Sequence, residues 1–300
     1  MKQSLATLLL LSEVSASGVE FDYTTNGADW PDSYPDCALT NQSPIDLISA
    51  AGTYETYAST EDMFTKTYSN QENVAVAWVG DTSKVTLDAD TTNFFTSEVA
   101  SSVYGANTQY NAAQFHFHSG SEHTIDGERF DFEMHTVHLA EETLEGFGYA
   151  AFGIIFSVDN YTADLTDDEV KIIDDFFDSL DLSSQDDPVP SMIDYGYLMM
   201  LVDSDNRYVY KGSVTTPPCG QSVYWNVMST VYPIKQDHVD LFKAQLARAD
   251  QADLADTGNW REIQTVDEHN VIRVSSGEDF ATKVTMGLVS AATVVAMTLF

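Results

Sequence analysis

Residues 114–139 read QFHFHSGSEHTIDGERFDFEMHTVHL, and this stretch decides the fold. Gln114 to His118 alternates strictly between polar and aromatic side chains, and Phe130 to Leu139 alternates in the same way. A period of two marks half-buried β-strands. Ser119 to Gly127 between them is turn-like, so the two strands are expected as antiparallel neighbours. His116 and His118, two apart on an extended segment, point to one face. The neighbouring strand brings His135 opposite them. Three neutral imidazoles converging on one point suit Zn2+. Three protein ligands leave the fourth tetrahedral position open to water, the mark of a catalytic rather than a structural zinc. A His-x-His pair alone is weak, because alternating histidines also occur on surfaces. Gln114 and Glu133 strengthen it: each shares a face with the ligands beside it and can accept a hydrogen bond from a ligand ring.

Outward from this stretch, strand signals dominate. Val74 to Val79 alternates, and Ala150 to Val158 is a continuous apolar run, as a buried strand would be. Tyr195 to Leu201, Tyr208 to Lys211 and Val223 to Val227 are further strand candidates. Two helices are expected. Thr166 and Glu169 form a capping box ahead of Val170, Ile173, Phe176, Phe177 and Leu180. A second helix runs from about Asp237 to Ala249, with Val239, Phe242 and Leu246 on one face. No linker or repeat interrupts the chain. The expectation is one mainly β (α+β) domain, residues 17–276, around a large, mostly antiparallel twisted sheet with short peripheral helices.

The 300 residues are 43% hydrophobic and 12% aromatic, enough for a large core. Asp and Glu number 47 against 13 Lys and Arg, a formal net charge of -34. Such a surface repels nucleic acid and anionic lipid faces. It suits a saline medium, where screening lengths fall to a few Å. Lys2, the apolar run Leu5 to Leu11 and Val14-Ser15-Ala16 read as a signal peptide over residues 1–16. Residues 277–300 form a C-terminal tail. The small residues Ser275 to Gly277, a short polar spacer and the uncharged Val284 to Phe300 resemble a GPI-anchor signal, with a retained membrane tail as the alternative. The chain is therefore expected to be secreted, at the cell surface, and to meet membrane only through that anchor. Cys37 and Cys219 would then meet oxidant and pair; two buried free thiols are the alternative. Asn160-Tyr161-Thr162 is a glycosylation sequon.

Gln114-Phe-His-Phe-His118, Ser121-Glu122-His123-Thr124 and Glu133-Met-His-Thr-Val-His138 resemble blocks of the α-class carbonic anhydrases. Gln42-Ser-Pro-Ile-Asp46 and Ser213-Val-Thr-Thr-Pro-Pro-Cys219 complete the set, in the family's order, from about Tyr23 to Val274. That family is itself the standard example of a catalytic three-histidine zinc. The resemblance implies reversible hydration of CO2 to bicarbonate and a proton, by zinc-bound hydroxide attack. It implies His116, His118 and His135 as zinc ligands, and Thr215 and Glu122 as the pair that orients the hydroxide. Gln114, Glu133 and the Asn259 carbonyl would support the ligands. Val137, Ala151, Val214, Thr216 and Trp225 would form the substrate pocket. His123 and His138 would be structural, with His138 on the opposite face to His135. The Cys37–Cys219 pair also matches secreted relatives.

Three departures stand out. Asp81 occupies the proton-shuttle position where the most active relatives carry histidine; an ordinary Asp, with a pKa near 3.9, is poorly matched to that task. Ala151 replaces a larger valine, and Glu262 stands where proline is usual. Tyr23 matches an active-site tyrosine, with spacing one residue short. The competing reading is a catalytically silent extracellular binding module derived from the same family.

Overall fold

The computed structural model describes residues 21–87, 92–106, 109–141, 147–184, 186–249, 251 and 254–277. The expected leader, and the expected tail beyond Gly277, lie outside them. Among the described residues, twelve strands form one sheet. Nine of them run side by side in the order Glu55–Ala58, Ile272–Ser275, Arg207–Gly212, Val223–Met228, Tyr149–Ser157, Phe132–Ala140, Gln109–Ser119, Ser83–Thr86 and Val76–Trp78. Most pairings are antiparallel. Tyr149–Ser157 runs parallel to Val223–Met228, and Ile272–Ser275 parallel to Glu55–Ala58. The mainly β architecture with short helices is as expected.

The two histidine strands, Gln109–Ser119 and Phe132–Ala140, are adjacent and antiparallel, with His116 opposite His135 and His118 opposite Glu133. Alternation then sorts their side chains. Phe115, Phe117, Phe132 and Met134 enter a fully buried aromatic core on one face. Phe176 and Phe177 of the helix Asp167–Ser179 and Phe242 of the helix Gln236–Leu246 cover that core. Each such ring contributes about 1.5–3 kcal/mol by burial, which ties the strands to the helices and fixes their register. The other face is left for the histidines. The Thr166–Glu169 capping box forms as the sequence indicates.

One expected strand is wrong. Tyr195–Leu201 is a helix. Its Leu and Met residues are good helix formers and it has no β-branched side chain. Tyr195, Leu198 and Met199 are buried while Tyr197 and Met200 face outward. Gly196 lets the helix press on the backbone of Ser69, which a Cβ would approach to 2.6 Å. Tertiary packing sets the state of this segment.

Cys37 and Cys219 form a disulfide across 182 residues of sequence, which removes the free-thiol alternative. Loop-entropy arguments give it about 5 kcal/mol. No described helix is long and apolar enough to cross a membrane.

Candidate metal centre

Neighbouring strands carry their side chains in rows. One row is Lys84, His116, His135, Gly153 and Val227; the next is Thr86, Gln114, Val137, Ala151 and Trp225. His118 stands two residues beyond His116 on the same face. The rings of His116, His118 and His135 lie 4.5 to 5.2 Å apart, and one nitrogen from each falls within 4.8 Å of the others.

The hydrogen bonds decide which nitrogen each ring offers. His116 Nδ1 donates to Gln114 Oε1 at 2.9 Å, and His118 Nδ1 to the Asn259 carbonyl at 2.7 Å. His135 Nε2 donates to Glu133 Oε1 at 2.9 Å. Each acceptor is an oxygen, so each ring is left with a bare lone pair: Nε2 of His116, Nε2 of His118 and Nδ1 of His135. His118 Nε2 and Glu122 Oε2 are buried without any hydrogen-bond partner. Burial, then the neighbouring His118 and His135, lowers the pKa of His116 well below the usual histidine range; burial and His118 also lower that of His135. Neutral rings with converging lone pairs and an orphaned carboxylate oxygen fit a divalent zinc ion.

His123, Glu133 and His135 form a second cluster of potential ligands. Its atoms are already engaged. Glu133 Oε1 also accepts from His123 Nδ1 at 2.7 Å, and Oε2 accepts from the His123 backbone N–H. His123 Nε2 meets the Tyr210 hydroxyl at 2.7 Å, which lies 2.9 Å from Ser43 Oγ. Burial works to raise the Glu133 pKa, but His123 and His135 outweigh it and hold the carboxyl well below the usual range. This chain of bonds aims the His135 ring; it leaves no lone pair converging on a second ion.

Other expected site residues gather here. Glu122 is fully buried, with Oε1 accepting from the Arg261 backbone N–H at 2.9 Å and Oε2 3.6 Å from His118 Nε2. Thr215 is buried in the Ser213–Cys219 loop, which the disulfide and the Trp225 Nε1 bond to Ser213 O tether. Among the described residues, no hydrogen bond joins Thr215 to Glu122, contrary to the expected pair. Val137, Ala151 and Trp225 form one apolar row beside the histidines, with Val214 packed against their cluster and Thr216 half-buried next to Thr215.

Asp81 departs from the expected ordinary carboxylate. Burial pushes its pKa up to about 6, against the pull of His118. Burial, and then the charges of Asp81 and Glu122, push the pKa of the Tyr23 hydroxyl well above the usual tyrosine range, so Tyr23 lies within electrostatic reach of both. Asn259 Nδ2 holds the Asp81 carbonyl at 2.9 Å. His138 faces the aromatic side as expected, 2.7 Å from the Tyr68 hydroxyl. Glu262 donates its backbone N–H to Asn26 O at 2.8 Å, a bond proline cannot make. Asn160 is exposed.

Sequence reasoning missed three supports. Arg261 binds the Gln42, Ser43 and Cys37 carbonyl groups and carries the N–H that holds Glu122. Gly153 must lack a side chain, since a Cβ would meet Glu133 Oε1 at 2.7 Å. Gly258, at φ +83°, lets Asn259 reach His118; a Cβ there would fall 2.0 Å from Ser119 O.

The model of the eukaryotic-type carbonic anhydrase family matches residues 25–275. Carbonic anhydrase 6 of Canis lupus familiaris is 28% identical over 302 residues, covering 92% of this chain and 88% of the relative. The structure of a halotolerant carbonic anhydrase from Dunaliella salina superposes with a TM-score of 0.60 at 25% identity, over 85% of this chain and 98% of that one. The α-carbonic anhydrase of Thermovibrio ammonificans, in complex with the inhibitor sulfanilamide, gives 0.63 at 23% identity, over 85% and 99%. The family match spans most of the chain and the fold agrees with both solved structures: the chain belongs to the eukaryotic-type carbonic anhydrase family.

Proposed function

We propose that this protein is a zinc-dependent carbonic anhydrase that interconverts CO2 and bicarbonate. The observation that carries the reading is the three converging lone pairs of His116, His118 and His135, each set by an oxygen acceptor on the far side of its ring. Bound zinc would supply a Lewis acid that makes water a nucleophile near neutral pH. The chain's own residues do the rest. Gln114, Glu133 and the Asn259 carbonyl hold the rings in the ligating tautomer. Val137, Ala151 and Trp225 offer CO2 a dry wall, which a molecule without a dipole needs. Thr215 and Glu122 orient the attacking oxygen once the hydroxyl turns toward the orphaned Oε2. Asp81, its pKa raised by burial to about 6 and its charge felt at Tyr23, is the proton-relay candidate. The expected silent module would lack a ligand or the Glu122–Thr215 pair of residues, and none is missing here.

The proposal extends to location. The chain is exported, carries the Cys37–Cys219 disulfide, is glycosylated at Asn160 and is anchored at the cell surface through its tail. Its net charge of -34 suits a saline exterior, and the halotolerant relative supports that setting. Stopped-flow CO2 hydration by residues 17–276 tests the activity, with His118→Ala as control. Fast hydration that the substitution abolishes is expected. Zinc-loaded, folded protein without hydration would favour the silent module.

A further inference from the structure

Lys84 shares a row with two of the candidate metal ligands. It is the Cα partner of His116, which in turn pairs with His135. Its chain neighbour Val85 is fully buried in the aromatic core, so alternation turns Lys84 to the histidine face. Directly paired side chains on one face have Cβ atoms roughly 4.5–5.5 Å apart. On its other side stands Ala77, too small to cover the ammonium. The charge of Lys84 is felt at His116 and that of Asp81 at Lys84, so the ammonium lies within electrostatic range of the centre and of Asp81. Among the described residues it enters no ion pair. The other cations near the centre are engaged: Arg129 donates to the carbonyls of Ser121 and Glu122, and Arg261 to those of Ser43 and Cys37.

We infer that Lys84 is the anion-directing residue of the site, drawing bicarbonate and competing monovalent anions to the three-histidine centre. The inference rests on the proposed CO2/bicarbonate chemistry. Of the two carbon reactants only bicarbonate is charged, so a fixed cation acts on one direction of the reaction. The need is specific to this chain. A protein with net charge -34 repels its anionic reactant at long range. Salt screens that repulsion over a few Å but screens a partly buried cation beside the centre much less.

Thiocyanate affinity of the zinc-loaded protein, measured by calorimetry at fixed ionic strength, tests the inference. Lys84→Gln is expected to weaken thiocyanate roughly five-fold, as loss of one charge interaction near the centre would. The KM for bicarbonate dehydration should rise by a similar ratio. Lys84→Arg should retain tight binding. Lys171→Gln, which removes an exposed lysine from the helix Asp167–Ser179, controls for net charge and should bind as the parent does. Equal thiocyanate affinity in Lys84→Gln and the parent would overturn the inference, as would an equal loss in Lys171→Gln. The titration needs no turnover. A chain that binds zinc and thiocyanate but hydrates no CO2 therefore sinks the catalytic reading separately.

Discussion

His135 and His138 sit three residues apart on one strand, both with almost no exposure, and face opposite sides of the sheet. His135 enters a polar chain: Glu133 accepts from its Nε2, and His123, Tyr210 and Ser43 continue the line. His138 enters an aromatic wall, with Phe95 and Phe152 rings 5.0 and 4.7 Å away and the Tyr68 hydroxyl 2.7 Å from its Nε2. Burial lowers the pKa of both. Burial therefore does not make a ligand. An oriented lone pair facing other oriented lone pairs does, and an acceptor behind the ring is what orients it.

Substitution sharpens that contrast most. His135→Ala should abolish zinc binding at micromolar zinc, and hydration should fall by at least ~1,000-fold with it. His138→Phe should keep stoichiometric zinc in a folded protein. Loss of zinc in both, read by metal analysis of purified folded variants, would erase the distinction between the faces.

Acid should expose the second histidine. Burial brings the pKa of His138 down to about 3, while the unfolded chain takes up the proton near 6.5. In that window the unfolded state binds more protons, so stability falls as pH drops from about 6.5 toward 3. The loss reaches as much as about 5 kcal/mol at 1.36 kcal/mol per unit. Denaturant titrations across this range should show a shallower slope in His138→Phe; an unchanged slope would assign the acid sensitivity to other groups.

Glu133→Gln should weaken zinc about 10–100-fold without unfolding the chain, since it removes the charge behind the His135 ring and keeps the shape. A competitive chelator titration reads this, and parental affinity would show that the polar chain is only structural. The smallest effect is expected at Asp81. Asp81→Asn should slow hydration about ten-fold in dilute buffer, and imidazole should restore it. Equal rates with and without imidazole would move the proton relay elsewhere.

Much of this was legible in the sequence, for physical reasons. Alternation placed Gln114, His116, His118, Glu133 and His135 on one face, because strand geometry leaves them no other. The capping box at Thr166 is a local signal and formed as read. Tyr195–Leu201 was misread because a short apolar run has no period of its own, and packing against Ser69 decided it. Lys84 and Gly153 were invisible because their meaning lies in cross-strand register, which couples residues far apart in sequence. The Asp81 pKa was misjudged for a related reason. Its composition gives an ordinary carboxylate; its surroundings do not.

Anomalous diffraction at the zinc absorption edge, from crystals grown with zinc, tests the central claim most directly. The account predicts one peak among His116 Nε2, His118 Nε2 and His135 Nδ1. A peak held instead by His123 and Glu133, or no peak in zinc-loaded crystals, would contradict it.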